Sequence, residues 1–349
     1  MKDLIKKNVQ NLGVYKVGRE PYDVKLDANE NPYNVLEELT ELITSRLVSE
    51  NLNRYPDNDA LMLREAIATY IGVKDENIIC GNGSDEIIKM IVDAFVDKDD
   101  VVVTHTPTFS MYKVAAEISG GRVIEIEDNE DFEINIENII NAANENNAKV
   151  IFLCNPNNPT GILIGQSDII RVLESTNAIV AIDEAYYEFC GETVVDKIDK
   201  YDRLIVLRTL SKAFGLAGMR VGYGVANSDF INVLNKVRPP YNLNTVSQAI
   251  GEVVLQNMGI VDKYIEEIKR EREFFMNELS SIKDIKVIPS KSNFLLIKTD
   301  KYLDLIERFK ENKIKVRDFG SDGILKNCIR LTVGTREENK KALKVIKEV

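Results

Sequence analysis

Val150-Ile151-Phe152-Leu153-Cys154-Asn155-Pro156-Asn157-Asn158-Pro159-Thr160-Gly161 is the stretch from which the rest of the chain is read. A short, continuous apolar run bounded by a turn signal describes a strand buried on both faces, as in parallel sheets covered by helices. Two prolines and a glycine then fix the backbone of the turn. The amide of Asn158 is thereby held in one orientation at the carboxyl edge of the sheet, where α/β sheets bind ligands. Taken alone, the turn is simply a good loop sequence, so its neighbours decide the reading.

The pattern recurs on both sides. Val101–Thr104, Arg122–Glu127, Val150–Asn155, Ile179–Asp183, Leu204–Thr209 and Val221–Val225 read as strands. Helices are expected at Ala60–Ile71, Ser84–Phe95, Phe109–Ile118, Gln166–Ser175 and Thr245–Gln256. This alternation predicts βαβ units, hence an α/β fold with a mixed, mostly parallel sheet flanked by helices. From Asp262 to Ser281 a charged helix carries Tyr264, Ile265, Ile268, Phe275 and Leu279 along one face. Beyond it, strand Asn293–Lys298, helix Tyr302–Lys310, strands Lys315–Arg317 and Cys328–Val333, and helix Arg336–Lys347 predict a small α+β unit. The expected division is an arm at residues 1–33, a large domain at 34–261 and a small domain at 262–349.

Two further segments carry chemistry. Ala178-Ile179-Val180-Ala181-Ile182-Asp183 runs directly into Glu184-Ala185-Tyr186. A carboxylate where an apolar run stops can pair with a protonated ring nitrogen, although for one strand-end Asp alone a turn acid or helix N-cap is the commoner role. In Thr209-Leu210-Ser211-Lys212, followed by a small-residue run to Arg220, a lysine stands behind two hydroxyls and ahead of a guanidinium. A lysine partly desolvated near a cation has a lowered pKa, and its neutral amine attacks carbonyls. Thr209, Ser211 and Arg220 suit a phosphate. An aldehyde-accepting lysine, a phosphate seat, an acid for a ring nitrogen, and Asn158 with Tyr186 for a phenolic oxygen are complementary roles around pyridoxal 5'-phosphate (PLP). Their conjunction in this order carries the inference. Gly81-Asn82-Gly83-Ser84-Asp85-Glu86 adds a helix start whose free N–H groups favour an anion. It has neither a full G-x-G-x-x-G nor a Walker A lysine, which argues against a dinucleotide or P-loop site.

These segments, with Leu26–Tyr33, Asn53–Pro56, Pro107–Tyr112 and Ile329–Thr335, resemble the fold-type I PLP aminotransferases over almost the whole chain. Within them the likeness is to the histidinol-phosphate aminotransferases. The resemblance implies an aspartate aminotransferase-like architecture: a large PLP-binding domain, and a small α+β domain on which the N-terminal arm packs. It implies Lys212 as the Schiff-base lysine and acid/base, Asp183 at the pyridine nitrogen, and Asn158 with Tyr186 at the phenolic oxygen. Thr209, Ser211, Arg220 and the backbone near Ser84 and Asp85 would hold the phosphate. Phe109 would stack on the ring, where the family often has a tyrosine; the change keeps the stacking and loses a hydroxyl. Tyr55 resembles a tyrosine that reaches the neighbouring subunit's cofactor phosphate, which implies a two-fold homodimer.

Arg317 and Arg330 match arginines that grip the anionic end of the substrate, and a guanidinium suits a carboxylate or a phosphate ester equally. With Tyr15 and the Ala28–Tyr33 motif they point to L-histidinol phosphate as amino donor and 2-oxoglutarate as acceptor, in ping-pong order. The same scaffold also serves threonine-phosphate decarboxylases, aromatic amino acid aminotransferases and non-catalytic PLP-responsive regulators. A regulator would carry an added DNA-binding segment, and none is visible in the sequence.

The bulk properties narrow the classes. With 45 basic against 56 acidic residues and a net charge of -11, the chain repels phosphate polymers, so nucleic acid is not an expected partner. The first residues lack a signal-peptide core and no apolar run reaches bilayer length, so a soluble, cytoplasmic chain without a membrane partner is expected. Cys80, Cys154, Cys190 and Cys328 are scattered, which reads as buried free thiols. His105 is the only histidine. A His-based metal centre or a Ser-His-Asp triad would hang on that residue alone.

Overall fold

Alternation of side chains along each apolar strand divides the larger sheet between two cores, and the helices follow from that division. The computed structural model describes residues 4–10, 12–14, 18 and 21–349. Among the described residues the strands are β1 (Val24–Leu26), β2 (Ile78–Asn82), β3 (Val101–Thr106), β4 (Arg122–Glu127), β5 (Val150–Cys154) and β6 (Ile179–Asp183). The chain continues with β7 (Leu204–Thr209), β8 (Val221–Val225), β9 (Lys286–Ile288), β10 (Phe294–Lys298), β11 (Ile314–Asp318) and β12 (Cys328–Thr332). In β5, Ile151 and Leu153 enter one core while Val150, Phe152 and Cys154 enter the other. Helices Leu61–Ile71, Ile136–Glu145, Gln166–Ser175 and Thr245–Leu255 cover the first face; Ser84–Phe95, Met111–Ser119 and Ser228–Asn235 cover the second.

The larger sheet has seven strands in the order β2-β8-β7-β6-β5-β3-β4. Neighbours run parallel except β8, which is antiparallel to both β2 and β7. This is the mixed, mostly parallel sheet predicted from the strand pattern. Since β5, β6 and β7 are adjacent and parallel, their carboxyl ends open on one edge. The register Cys154 opposite Asp183 and Asp183 opposite Leu207 sets them level.

The smaller sheet has the order β1-β11-β12-β10-β9, with β1 parallel to β11 and the remaining pairs antiparallel. Helices Tyr302–Glu311 and Arg336–Lys347 pack on it through Leu305, Phe309, Leu343 and Ile346. The long helix spans Met258–Ser280, beginning ahead of the expected Asp262. Its early start has a packing cause: Val261, Ile265 and Ile268 lie in the large core, and Phe275 and Leu279 in the small one. One helix therefore spans both cores. No helix among the described residues is long and apolar enough to cross a membrane.

Candidate active site

The cleft between the two sheets is built on the three level strand ends. A cavity of about 260 Å³ there is bordered by Ser84, Asp85, Phe109, Asn158, Asp183, Tyr186, Thr209, Ser211, Lys212, Arg220, Arg317 and Arg330. After β5, two of the asparagines face inward and brace the turn. Asn155 Oδ1 accepts from the Ile164 amide at 2.7 Å, and buried Asn157 donates to Pro107 O at 2.9 Å and accepts from the Thr108 hydroxyl at 2.7 Å. Gly161 is left-handed with φ 76°, and a Cβ there would lie 2.1 Å from Ser290 Oγ, so the turn closes only with glycine. Asn158 is thus left pointing into the cleft.

At the end of β6, Asp183 is almost fully buried. Its Oδ2 accepts from the Tyr112 hydroxyl at 2.7 Å and its Oδ1 from the Ala185 amide at 3.1 Å. Burial pushes this carboxyl up to about 6, while the bonds from Tyr112 and Ala185 act in the opposite direction. Tyr186 follows on the same turn, with its hydroxyl oxygen accepting from Asn29 Nδ2 at 2.9 Å. Because Asn29 supplies that proton, the Tyr186 hydrogen is free to be donated elsewhere.

After β7, the hydroxyls of Thr209 and Ser211 lie 3.0 Å apart, facing Arg220 across the start of helix Ser84–Phe95. Arg220 Nη1 donates to Ser211 Oγ at 3.4 Å and Nη2 contacts Asp85 Oδ2 at 3.3 Å. A Cβ at Gly83 would sit 2.5 Å from Arg220 Nη2, and one at Gly222 would sit 2.2 Å from the Ser84 amide nitrogen. These two glycines let the guanidinium and β8 close over the helix N-terminus, where free N–H groups and the dipole favour an anion. Lys212 reaches the centre of the cleft and donates to Ala28 O at 3.0 Å. Burial, then the Arg330 and Arg220 cations, bring its amine down to about 8.

The opposite wall comes from the smaller sheet. Arg317 and Arg330 are register partners on β11 and β12, so both side chains stand on one face. Buried Arg330 donates to Asn158 Oδ1 at 2.5 Å and to Asp27 O at 2.6 Å. Arg317 is exposed, its guanidinium 5.6 Å from the Phe319 ring centre.

Twelve of the sequence-predicted site residues are brought together on this cleft. Tyr55 is not among them. It is 79% exposed and stacks on Tyr241 at 4.5 Å between ring centres. Tyr15 lies outside the described residues. Phe109 was expected inside a helix, but the helix is Met111–Ser119 and Phe109 precedes it on the cleft wall. Tyr112 and Asn29, which contact Asp183 and Tyr186, fall within the segments Pro107–Tyr112 and Leu26–Tyr33, but nothing in the sequence singles either out for a role of its own.

Residues 22–346 match the family model for aminotransferase class I and II, and the chain belongs to that family, whose members are PLP-dependent enzymes. It is 42% identical to a histidinol-phosphate aminotransferase from Clostridium novyi over 347 residues, 99% of this chain and 97% of the relative. Its fold is that of a Sinorhizobium meliloti histidinol-phosphate aminotransferase solved with pyridoxal-5'-phosphate (TM-score 0.90, 21% identity, 99% of this chain and 97% of that one). An L-threonine-O-3-phosphate decarboxylase from Porphyromonas gingivalis shares the fold too (TM-score 0.80, 24% identity, 93% of this chain and 98% of that one). Architecture alone therefore does not separate the two chemistries.

The residues present fit the cofactor. The glycine-lined cradle over a helix N-terminus suits its phosphate, the lysine of lowered pKa its aldehyde, and the buried carboxylate at the strand end its ring nitrogen.

Proposed function

We propose that this chain transaminates L-histidinol phosphate with 2-oxoglutarate, giving imidazole acetol phosphate and glutamate, in histidine biosynthesis. The observation that carries the reading is the end-to-end similarity to relatives bearing that name, at 42% identity with the one from Clostridium novyi. It is supported by the Arg317–Arg330 register, which sets two guanidiniums where a substrate's anionic end must enter.

In this reading PLP supplies an aldehyde for the amino group and an electron sink for the carbon that loses its proton. Lys212 Nζ, neutral at accessible pH because it is buried beside cations, takes the proton from the substrate Cα. Asp183 would hold its negative charge toward the cofactor's ring nitrogen. Asn158 and Tyr186 would donate to the phenolic oxygen, and Phe109 would cover the ring. Thr209, Ser211, Arg220 and the amides at Ser84 and Asp85 hold the phosphate. Arg317 and Arg330 orient the substrate by its anionic group.

The exposed Tyr55–Tyr241 stack, with exposed Val48, Leu52, Leu61 and Met62 nearby in the chain, supports a two-fold homodimer in which Tyr55 completes a neighbour's phosphate site. We place this homodimer in the cytoplasm, and divide each subunit as arm 1–33, large domain 34–261 and small domain 262–349.

Mixing the cofactor-loaded protein with L-histidinol phosphate tests the activity. The yellow absorption should bleach and then return on adding 2-oxoglutarate. Carbon dioxide release from threonine phosphate would replace the substrate reading with the decarboxylase one, and a protein that never turns yellow would overturn the cofactor assignment.

A further inference from the structure

Helix Met111–Ser119 places a phenol directly behind the acid at the end of β6. Tyr112 has no exposed surface. Its ring lies parallel to Phe152 of β5, 4.9 Å between centres and 3° between planes, and edge-on to Phe109 at 5.6 Å. Phenylalanine would satisfy both ring contacts. A buried hydroxyl without a partner is costly, so an oxygen kept here has a polar purpose. That oxygen lies 2.7 Å from Asp183 Oδ2.

The charges around Asp183 make this contact consequential. Asp85, on helix Ser84–Phe95, and Glu184, which follows it just beyond the end of β6, both act on it as like charges. The Cys154 thiol of β5 also lies nearby, held protonated by burial. Burial keeps the Tyr112 phenol protonated far above neutral pH, so the phenol is the donor and the carboxylate the acceptor. The Tyr112 O–H and the Ala185 N–H are thus the groups that support the negative charge from the protein side.

We propose that Tyr112 is a positioning residue for the reaction: its hydroxyl orients the Asp183 carboxylate and stabilises its charge, so that the acid faces the cofactor's ring nitrogen. Through its edge contact it also ties Phe109, which covers the ring, to the same support. The inference rests on the reading of Asp183 as the partner of that nitrogen.

Tyr112→Phe in the loaded enzyme is the test. The ring packing survives, so the melting temperature should stay within a few degrees of the parent. We expect kcat to fall roughly tenfold or more while the KM for the amino donor changes less than about twofold, because a charge-assisted hydrogen bond is lost away from the substrate's anionic end. With less positive charge retained on the ring, the nitrogen linked to Lys212 becomes more basic, and the pH midpoint of the yellow absorption should move upward. In the cofactor-free protein, where the acid titrates alone, the range over which stability falls with rising pH should extend to higher pH than in the parent.

Parent-like kcat and an unmoved midpoint would overturn the proposal. Asp183→Asn, run in parallel, separates it from the reading beneath it. If Asp183→Asn turns over normally, the Asp183 assignment itself fails; if Asp183→Asn is impaired and Tyr112→Phe is not, only the Tyr112 inference falls. Should Tyr112→Phe not fold, site-specific 3-fluorotyrosine at 112 keeps the shape and makes the phenol a stronger donor. It should shift the midpoint downward, and no shift would overturn the inference.

Discussion

The two faces at the ends of β6 and β7 treat charge in opposite ways. Asp183 and Glu184 are consecutive and both buried, yet strand alternation sends them to different sides. Glu184 meets Arg208, also buried, at 2.8 Å, and accepts from the Thr193 hydroxyl and the Val194 amide at 2.7 and 3.0 Å. Burial works against the charge on Arg208, but the Glu184 and Glu188 carboxylates outweigh it and raise its pKa, and its guanidinium lies 3.6 Å from the Tyr187 ring centre. On the cleft side, the Asp183 carboxylate accepts from two neutral donors, and the Lys212 amine donates to the Ala28 carbonyl and lies 6.0 Å from the Tyr186 ring centre. The far face completes its charges within the protein, whereas the cleft face carries charges that a ligand would complete. Removing groups from the first should cost stability; removing them from the second should cost activity.

The largest effect is expected at the centre of the cleft. Lys212→Ala should lower turnover by roughly four orders of magnitude, as for loss of a group acting both as nucleophile and as acid/base, with the fold retained by circular dichroism. Unchanged turnover would remove the central assignment. On the opposite face, Arg208→Met leaves Glu184 buried and unpaired and should destabilise the protein by about 3–5 kcal/mol in urea unfolding. The double change Arg208→Met with Glu184→Leu should recover part of that loss. A loss of activity at full stability would break the contrast between the faces.

Asp183→Asn sharpens the contrast, because it should move stability and activity in opposite directions. The folded acid titrates near 6 against an ordinary value of 3.8. Between those values the folded state holds a proton that the unfolded state has released, so stability falls as pH rises through this window. Above it the ionised acid costs the cofactor-free protein about 3 kcal/mol, and asparagine should return much of this at pH 7.5 but little at pH 3.5. Turnover should meanwhile drop by roughly a hundredfold, as for loss of one preorganised charge. Arg317→Ala should give the smallest effect, about a tenfold rise in KM for the phosphorylated donor, because its exposed guanidinium is screened by solvent. Arg330→Ala should cost more, since Arg330 is buried and also holds Asn158.

Four strands of the larger sheet were legible to the residue: β4, β6, β7 and β8 have the bounds their patterns suggest. β1 was not assigned from sequence, because three residues are too few for periodicity and its partner β11 lies at the far end of the chain. The cleft residues were legible where punctuation marks a strand end, as at Asn158, Asp183 and Thr209. Tyr112 and Asn29 were not, since each looks ordinary within its own segment and acquires its role from a contact formed across the fold.

By itself, the sequence determined the α/β architecture and the order of the chemical groups along it, because apolar periodicity, turn residues and strand-end polarity act over a few neighbouring positions. Only the tertiary structure decided that the Tyr112 hydroxyl, 71 residues from Asp183, meets its carboxylate, that Asn29, 157 residues away, serves Tyr186, and that Arg317 and Arg330 fall side by side. Those pairings depend on strand register and helix packing, which are settled by burial of the two cores as a whole and leave no trace in any single segment.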